Sequence, residues 1–178
     1  VEKKDEEGCI DDAKVAQGKV AEIMAGCFTA GMISLGDRLG LYQALLNKEH
    51  GLTSSDLAKE KSLSERWVRE WMLQQASAGI LAVVDGKEAD DSAGGKGDRL
   101  RFNLAPGYGA VLADESSSNY AVPLFSLLPT LQKRVGKNLP ECFATGLGVN
   151  YDGDGDTDIA TAIERSHARS CAEIPFKL

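Results

Sequence analysis

Apolar residues recur at helical spacing twice between Leu52 and Gly79, and two short β-type runs follow. In Leu52-Thr-Ser-Ser-Asp-Leu-Ala, Thr53 is placed to cap a helix, Asp56 to complete a shortened capping box, and Leu52 and Leu57 to close a hydrophobic staple. The pattern returns at Ser64, an expected N-cap flanked by Leu63 and Val68. Asp56 and Glu65 put negative charge in the first turn of each helix, where the dipole favours it. Only Lys59 to Leu63 is left for a turn, so the two helices must cross steeply. Val68, Trp71, Met72 and Gln75-Ala76 give the second helix its inward face, and Gly79 stands where a left-handed C′ residue ends it. Ile80 to Val84 and Leu100 to Leu104 then read as strands around a loop too long for a tight hairpin. The pattern predicts a winged helix-turn-helix.

Upstream, Ala13 to Ile33 reads as a long helix with Val15, Val20, Ile23, Met24, Cys27, Phe28 and Met32 among its apolar positions, interrupted by Gly18, Gly26 and Gly31. Each interior glycine costs up to ~1 kcal/mol against alanine, so packing must stabilise this helix. Its apolar surface is wider than one small winged helix covers, which points to a partner subunit. Asp37 is expected to cap the next helix, with Leu39, Tyr42, Leu45 and Leu46 facing inward. Downstream, Ala105 to Asp114 reads as a short helix. Tyr120 to Val135 carries Pro123 and Pro129 and is expected as two short helices with a bend. A glycine-bearing loop from Thr145 to Asp156 and a closing helix from Thr157 to Glu173 complete the pattern. The fold class expected is mostly α: a winged helix-turn-helix with a small β-wing and added N- and C-terminal helices that pair subunits. Its parts are a polar tail over 1–12, the long helix and winged helix over 13–105, and a helical segment over 106–178.

Charge changes what such a fold is expected to do. The chain has 178 residues and a net charge of −7. The second helix sets Arg66 and Arg69 against Glu65 and Glu70, and the loop from Asp85 to Arg99 holds five acidic residues against three basic ones. A DNA-reading helix offers cations to phosphates and donors to base edges, so nucleic acid is not the expected partner. A winged-helix transcription regulator stays as the alternative reading. No apolar run is expected to be long enough to span a bilayer. Val1 to Asp12 has no signal-peptide pattern, and a cytoplasmic location is expected. Cys9, Cys27, Cys142 and Cys171 lack C-x-x-C spacing and are expected as reduced, mostly buried thiols.

Other motifs read as structural. Asp152-Gly-Asp-Gly-Asp156 mimics the opening of a calcium loop, but Thr157 replaces the glycine and Ile163 the bidentate acid, so a solvated acidic turn is expected and no metal. His50 and His167 are expected to face solvent, and Trp67 and Trp71 to lie in the core.

Five segments follow one another in a familiar order: Leu35-Gly-Asp-Arg-Leu-Gly-Leu-Tyr-Gln-Ala-Leu45, Leu52-Thr-x-x-Asp-Leu-Ala58, Leu63-Ser-Glu-Arg-Trp-Val-Arg-Glu-Trp71, Ala76-Ser-Ala-Gly-Ile80 and Phe143-x-Thr-Gly-x-Gly-Val-x-Tyr151. From about Ala13 to its end, the chain resembles the N-terminal winged-helix region of class I S-adenosylmethionine-dependent methyltransferases. Two departures stand out. Lys61-Ser62 occupies a turn where the family usually has glycine, and the wing loop from Glu88 to Asp98 is enlarged.

The resemblance implies a homodimer paired through the N-terminal helices and a winged helix that forms one wall over the pocket of a small-molecule methyl acceptor. A following Rossmann-like domain would bind S-adenosylmethionine. It implies in-line attack on the sulfonium methyl, which needs alignment and a dry site more than a strong base. Phe28, Met32, Phe125 and Tyr151 are the residues expected to approach the acceptor. The cofactor signature, an apolar strand entering D/E-x-G-x-G-x-G, is missing. Gly146-Leu-Gly148 only hints at it, so no cofactor is expected on these residues and the chain alone is expected to be inactive. A free-standing interaction module that pairs with the full-length enzyme is a further reading.

Overall fold

A computed structural model describes residues 5–84 and 100–148 together with Glu164, with side chains from Asp12 onward. Helix α1 (Asp5–Arg38) leads into a short α2 (Leu41–Leu45), then α3 (Ser54–Lys61) and α4 (Glu65–Ser77), and strands β1 (Leu81–Val84) and β2 (Arg101–Leu104). A π-helical turn (Gly109–Ala113), a 3-10 helix (Val122–Leu127), α5 (Leu128–Lys137) and α6 (Leu139–Thr145) follow. The mostly α winged helix-turn-helix is therefore present. Its helix-turn-helix is α3 and α4, and β1 pairs antiparallel with β2 with Leu81 opposite Leu104 and Val84 opposite Arg101.

The local signals act as their chemistry dictates. Thr53 Oγ1 accepts from the Asp56 amide at 3.0 Å while the Thr53 amide donates to Asp56 Oδ2 at 3.2 Å, so both halves of the capping box are closed. Gly79 adopts φ +74, and the Ile80 amide reaches back to the Gln75 carbonyl at 3.0 Å, ending α4 as expected. Ser64 occupies the N-cap of α4, but its side chain makes no capping bond. Pro123 and Pro129 each fall in the first turn of their helix, where the missing N–H costs nothing.

Three expectations are corrected. Asp37 is not the N-cap of α2: α1 continues through Arg38, and Gly40, at φ +65, opens α2. The Leu39 amide bonds to the Leu35 carbonyl and the Gly40 amide to the Asp37 carbonyl, so the helix closes its own turn there. Leu39 in consequence is turned partly outward at 38% exposure, while Tyr42 and Leu45 are fully buried. The helix also begins at Asp5, inside the segment expected as a polar tail.

The third correction concerns hydrophobicity. By length and composition Asp12–Arg38 qualifies as a bilayer-crossing helix, with a hydropathy of 1.2 over its most apolar window. Its uncharged stretch, however, runs only from Ile23 to Gly36, about 20 Å of helix at 1.5 Å per residue against a hydrocarbon layer of about 30 Å. The last turns are moreover packed on protein, with Ile33 and Ser34 buried.

One core, built from α2, α3, α4, the strands and the segment after them, includes Tyr42, Leu45, Leu57, Met72, Phe102 and Val122. A third strand-like segment joins the wing. Leu52 and Phe102 exchange both backbone hydrogen bonds at 2.9 Å, which ties the start of α3 to β2. This pairing requires Gly51, whose φ is +62 and whose missing Cβ would lie 2.7 Å from the Phe102 carbonyl oxygen. At the turn between α3 and α4 the opposite occurs. Ser62, standing where glycine is usual in the resembling family, holds φ 55 and ψ 43.

Replacing Gly51 with alanine adds both a left-handed penalty and a backbone clash, and is expected to cost about 3 kcal/mol. Ser62→Gly removes a left-handed penalty and is expected to add up to about 1 kcal/mol. Urea denaturation of the two variants measures both, and equal midpoints would contradict the assignment of strain.

Burial also holds a phenol. Tyr42 is fully buried, its hydroxyl donates to Gln75 Oε1, and its ring meets Trp71 edge-on at 5.2 Å between centroids. Desolvation first, and the nearby Asp37 charge second, push its pKa well above the ordinary tyrosine range. The stability tied to this neutral phenol is complete below the unfolded-chain value near 10 and is lost as pH rises from there toward the folded value. Tyr42→Phe is expected to lower stability at pH 7 by about 1–3 kcal/mol, since Gln75 loses its donor. It should also flatten the alkaline decline above about pH 10. Thermal melts across pH 7–11 check both effects.

Candidate functional site

A concave apolar feature lies where α1 leaves the core and passes α4. Tryptophan chemistry creates it. Trp71 is buried at 4% exposure, its indole N–H donating to the Met32 carbonyl at 3.0 Å. Its ring edge lies so close to α1 that a Cβ on Gly36 would fall 2.6 Å from Trp71 Cζ2 and 2.7 Å from Tyr42 Cε2. A second polar tie runs from Gln74 Nε2 to Thr29 Oγ1 at 3.0 Å. Gln75, itself fully buried, donates to Gln74 Oε1 and accepts from Tyr42, so one hydrogen-bonded chain joins α2, α4 and α1.

Beside this anchor the two helices diverge around an apolar groove of about 510 Å³. Met32, Leu35 and Leu39 supply the α1 wall and Trp67, Val68 and Trp71 the α4 wall. Leu41 and Leu63 close its ends, with Ser64, Glu70 and Gln74 as its polar atoms. Trp67 is 71% exposed at the groove's lip, with the Arg66 guanidinium 5.8 Å from its ring centroid. The expectation that both tryptophans are core residues therefore holds for Trp71 and fails for Trp67. Trp67 lies one helical turn before Trp71, but the close contacts with α1, at Gly36 and the Met32 carbonyl, are made by Trp71.

The residues expected to approach an acceptor are distributed as follows. Met32 and Phe125 both pack against the main core as half-buried side chains, and Met32 also lines the groove. Phe28, one turn before Met32, is 65% exposed. Phe125 is not among the groove's lining residues, and Tyr151 lies outside the described residues. The acidic 152–156 turn, His167 and the expected 157–173 helix also lie outside them, apart from helical Glu164. His50 is exposed, as expected. Cys27 is exposed, because none of the described residues covers that part of α1, and Cys142 is half-buried, against the expectation of mostly buried thiols. Sequence reasoning missed Leu35 and Leu39 as groove residues. With Phe28 and Met32 they recur at spacings of four, three and four, a stripe that was legible.

No acid–base or nucleophilic constellation accompanies the groove, and among the described residues no three His, Cys, Asp or Glu side chains gather as metal ligands. The arrangement suits burial of apolar surface.

Residues 27–89 match the model of the Rv2258c-like winged HTH domain. That match agrees with the winged helix-turn-helix formed by α3, α4, β1 and β2. No curated protein matches the sequence. Among solved structures the fold is similar to human N-acetylserotonin methyltransferase in complex with SAM, at TM-score 0.60 and 15% identity over 86% of this chain and 42% of that one. It is similar to the mitomycin 7-O-methyltransferase MmcR, at TM-score 0.59 and 18% identity over 88% and 44%. CalO1, a methyltransferase in calicheamicin biosynthesis, in its SAH-bound form gives TM-score 0.58 and 19% identity over 90% and 45%. The chain thus spans less than half the length of each of these proteins.

Winged helices are often DNA readers, and the surface of α3 and α4 tests that use. Across the two helices four basic residues face four acidic ones. Arg69 lies 3.7 Å from Glu65, and Arg66 rests against Trp67. Electrophoretic titration with duplex DNA at ~0.15 M salt is therefore expected to give no retarded complex below about 10 μM, weaker than the 10⁻⁸–10⁻¹¹ M of specific binders. A tight, salt-dependent complex would reinstate the regulator reading.

Proposed function

We propose that this chain is the non-catalytic N-terminal module of a cytoplasmic S-adenosylmethionine-dependent methyltransferase. It would pair two subunits through α1 and form one wall of the pocket for a small-molecule methyl acceptor. One observation carries this reading. The likeness to methyltransferases extends over 86–90% of the chain, well beyond the 27–89 winged helix, and so takes in further helices that a bare DNA-binding module does not need.

Pairing is supported by α1 itself. Every described residue from Asp12 to Phe28 is exposed. Ala16, Val20, Ile23, Cys27 and Ala30 nevertheless recur at alternating spacings of four and three, the seam of a helix that packs on another helix. Val20 and Ile23 are each 60% or more exposed, a patch that water disfavours. Met32 and Phe125, seated on one core with Phe28 a turn away, are the residues offered to the acceptor.

S-adenosylmethionine itself does not fit the described residues. A sulfonium with a carboxylate, ribose and adenine needs polar partners, whereas the groove is walled by hydrocarbon. Gly146 and Gly148 follow α6 directly, and Gly146 serves as that helix's C-cap at φ +73, with no strand leading into it. The methyl donor would therefore belong to a further domain, and this chain's part would be to shape and dry the acceptor pocket.

The coding sequence after Leu178 is expected to encode an apolar strand and a glycine-rich turn. The polypeptide that includes them should bind S-adenosylmethionine in calorimetry with micromolar affinity, while the 178-residue chain gives no heat. Binding of the donor by the 178-residue chain would overturn the division of labour.

A further inference from the structure

Burial along α1 begins at one residue, and that residue carries a polar tie. Every described residue from Asp12 to Phe28 is exposed, and Thr29 is the first that is half-buried. Gln74, which lines the groove, donates from Nε2 to Thr29 Oγ1 at 3.0 Å. Further along, Trp71 holds the same helix at the Met32 carbonyl and the bare face of Gly36. Thr29 and Gly36 are seven residues apart, two turns of one helix face, and so about 10 Å from each other. A helix held at one end of this stretch can pivot, and held at both it cannot. Met32 and Leu35, the α1 wall of the groove, lie between the two holds.

Gln74 alone is a poor holder. It is half-buried, so water competes for its amide, and ordering a glutamine side chain costs rotamer entropy. Its neighbour removes both difficulties. Gln75 is fully buried and donates from Nε2 to Gln74 Oε1, while its own Oε1 accepts from the Tyr42 hydroxyl. Donors thus run in one direction from Tyr42 to Thr29. The phenol fixes which way Gln75 points, Gln75 fixes Gln74, and the Gln74 amide nitrogen is left to face α1. Tyr42 also belongs to the second hold, since its ring lies 2.7 Å from where a Gly36 Cβ would stand and meets Trp71 edge-on.

We infer that Tyr42, Gln75 and Gln74 form a latch on α1 at Thr29. Closed, it fixes the α1 wall of the groove; open, it releases the helix back to the Trp71 hold and lets the groove widen. Gly26 and Gly31, on either side of Thr29, weaken the helix there, so the release is local. α1 also packs on the 3-10 helix and α5, but a hydrogen bond is directional and sets the rotation of the helix. Neither hold needs a partner chain or a donor domain, so the latch stands apart from the methyltransferase reading.

Amide hydrogen exchange of the full chain, wild type and variants at one concentration, tests the latch. Thr29→Val keeps the shape of the side chain and removes the acceptor. It is expected to speed exchange over residues 30–34 by about ten-fold, the loss of one hydrogen bond, and to leave α3, β1 and β2 within about two-fold. Thr29→Ser keeps the hydroxyl and should exchange as the wild type does. In a chain that already carries Tyr42→Phe, Thr29→Val should add less than about two-fold, because the relay is broken at its source. Equal acceleration by Thr29→Val with and without Tyr42→Phe would overturn the relay, since the two residues then act independently. Acceleration spread evenly over β1 and β2 would make Thr29 part of the common core, and no acceleration would leave α1 held by apolar packing; either result overturns the latch. So would exchange in Thr29→Ser as fast as in Thr29→Val.

Discussion

The seating of the Trp71 ring against the bare backbone of Gly36 fixes the rest of this molecule. A tryptophan buries 150–250 Å² of surface, and here that surface is shared between α4 and a helix that otherwise has few contacts with the winged helix. The contact is close only because position 36 lacks a side chain, and its angle is set by the indole hydrogen bond to the Met32 carbonyl. From that point the direction of α1 is determined. Its last two turns join the core, and its earlier turns run past the edge of α4 into open space. The groove lies between two helices that meet where Trp71 seats on Gly36 and where Gln74 bonds to Thr29. The exposure of Trp67, the half-exposure of Leu35 and Leu39, and the bareness of the preceding residues all follow from the same pivot.

Much of the fold was legible because its signals are local. Thr53 and Asp56 make a reciprocal pair that works within one turn, Gly79 satisfies a conformational need of its own residue, and the periodicity of Val68, Trp71, Met72 and Gln75 depends only on the helical repeat. What was not legible depends on how separate elements meet. Trp67 and Trp71 share a helix face in sequence, and only the crossing of α1 makes one a core residue and the other a lip. Asp37 has the chemistry of a cap, but the Leu39 and Gly40 amides that follow it already donate to the Leu35 and Asp37 carbonyls in the closing turn of α1. Ser62 announced a strained turn through the lack of a glycine, and the strain is present in its positive φ. The groove itself could have been anticipated from the Phe28–Leu39 stripe, which continues past the expected end of the helix.

A winged helix is a scaffold whose use is decided by its surface. The face of α4 that would enter a DNA groove here carries an indole, a guanidinium already resting on that indole, and two carboxylates. Such a surface gains little from a polyanion and much from losing water, which is the currency of protein–protein contact. The same helix therefore serves as the wall of an apolar seat, and the fold's history of nucleic-acid use carries no weight against that chemistry.

The exposed half of α1 sharpens the point. Gly18, Gly26 and Gly31 have nothing among the described residues within 4 Å of where a Cβ would stand, so packing on those residues gives no reason for their lack of side chains. Each weakens the helix by up to ~1 kcal/mol relative to alanine, in a segment where solvent-exposed helix is already marginal. A helix that is costly to form and apolar where formed is stable only when something binds its folded state, and any such partner stabilises it by mass action.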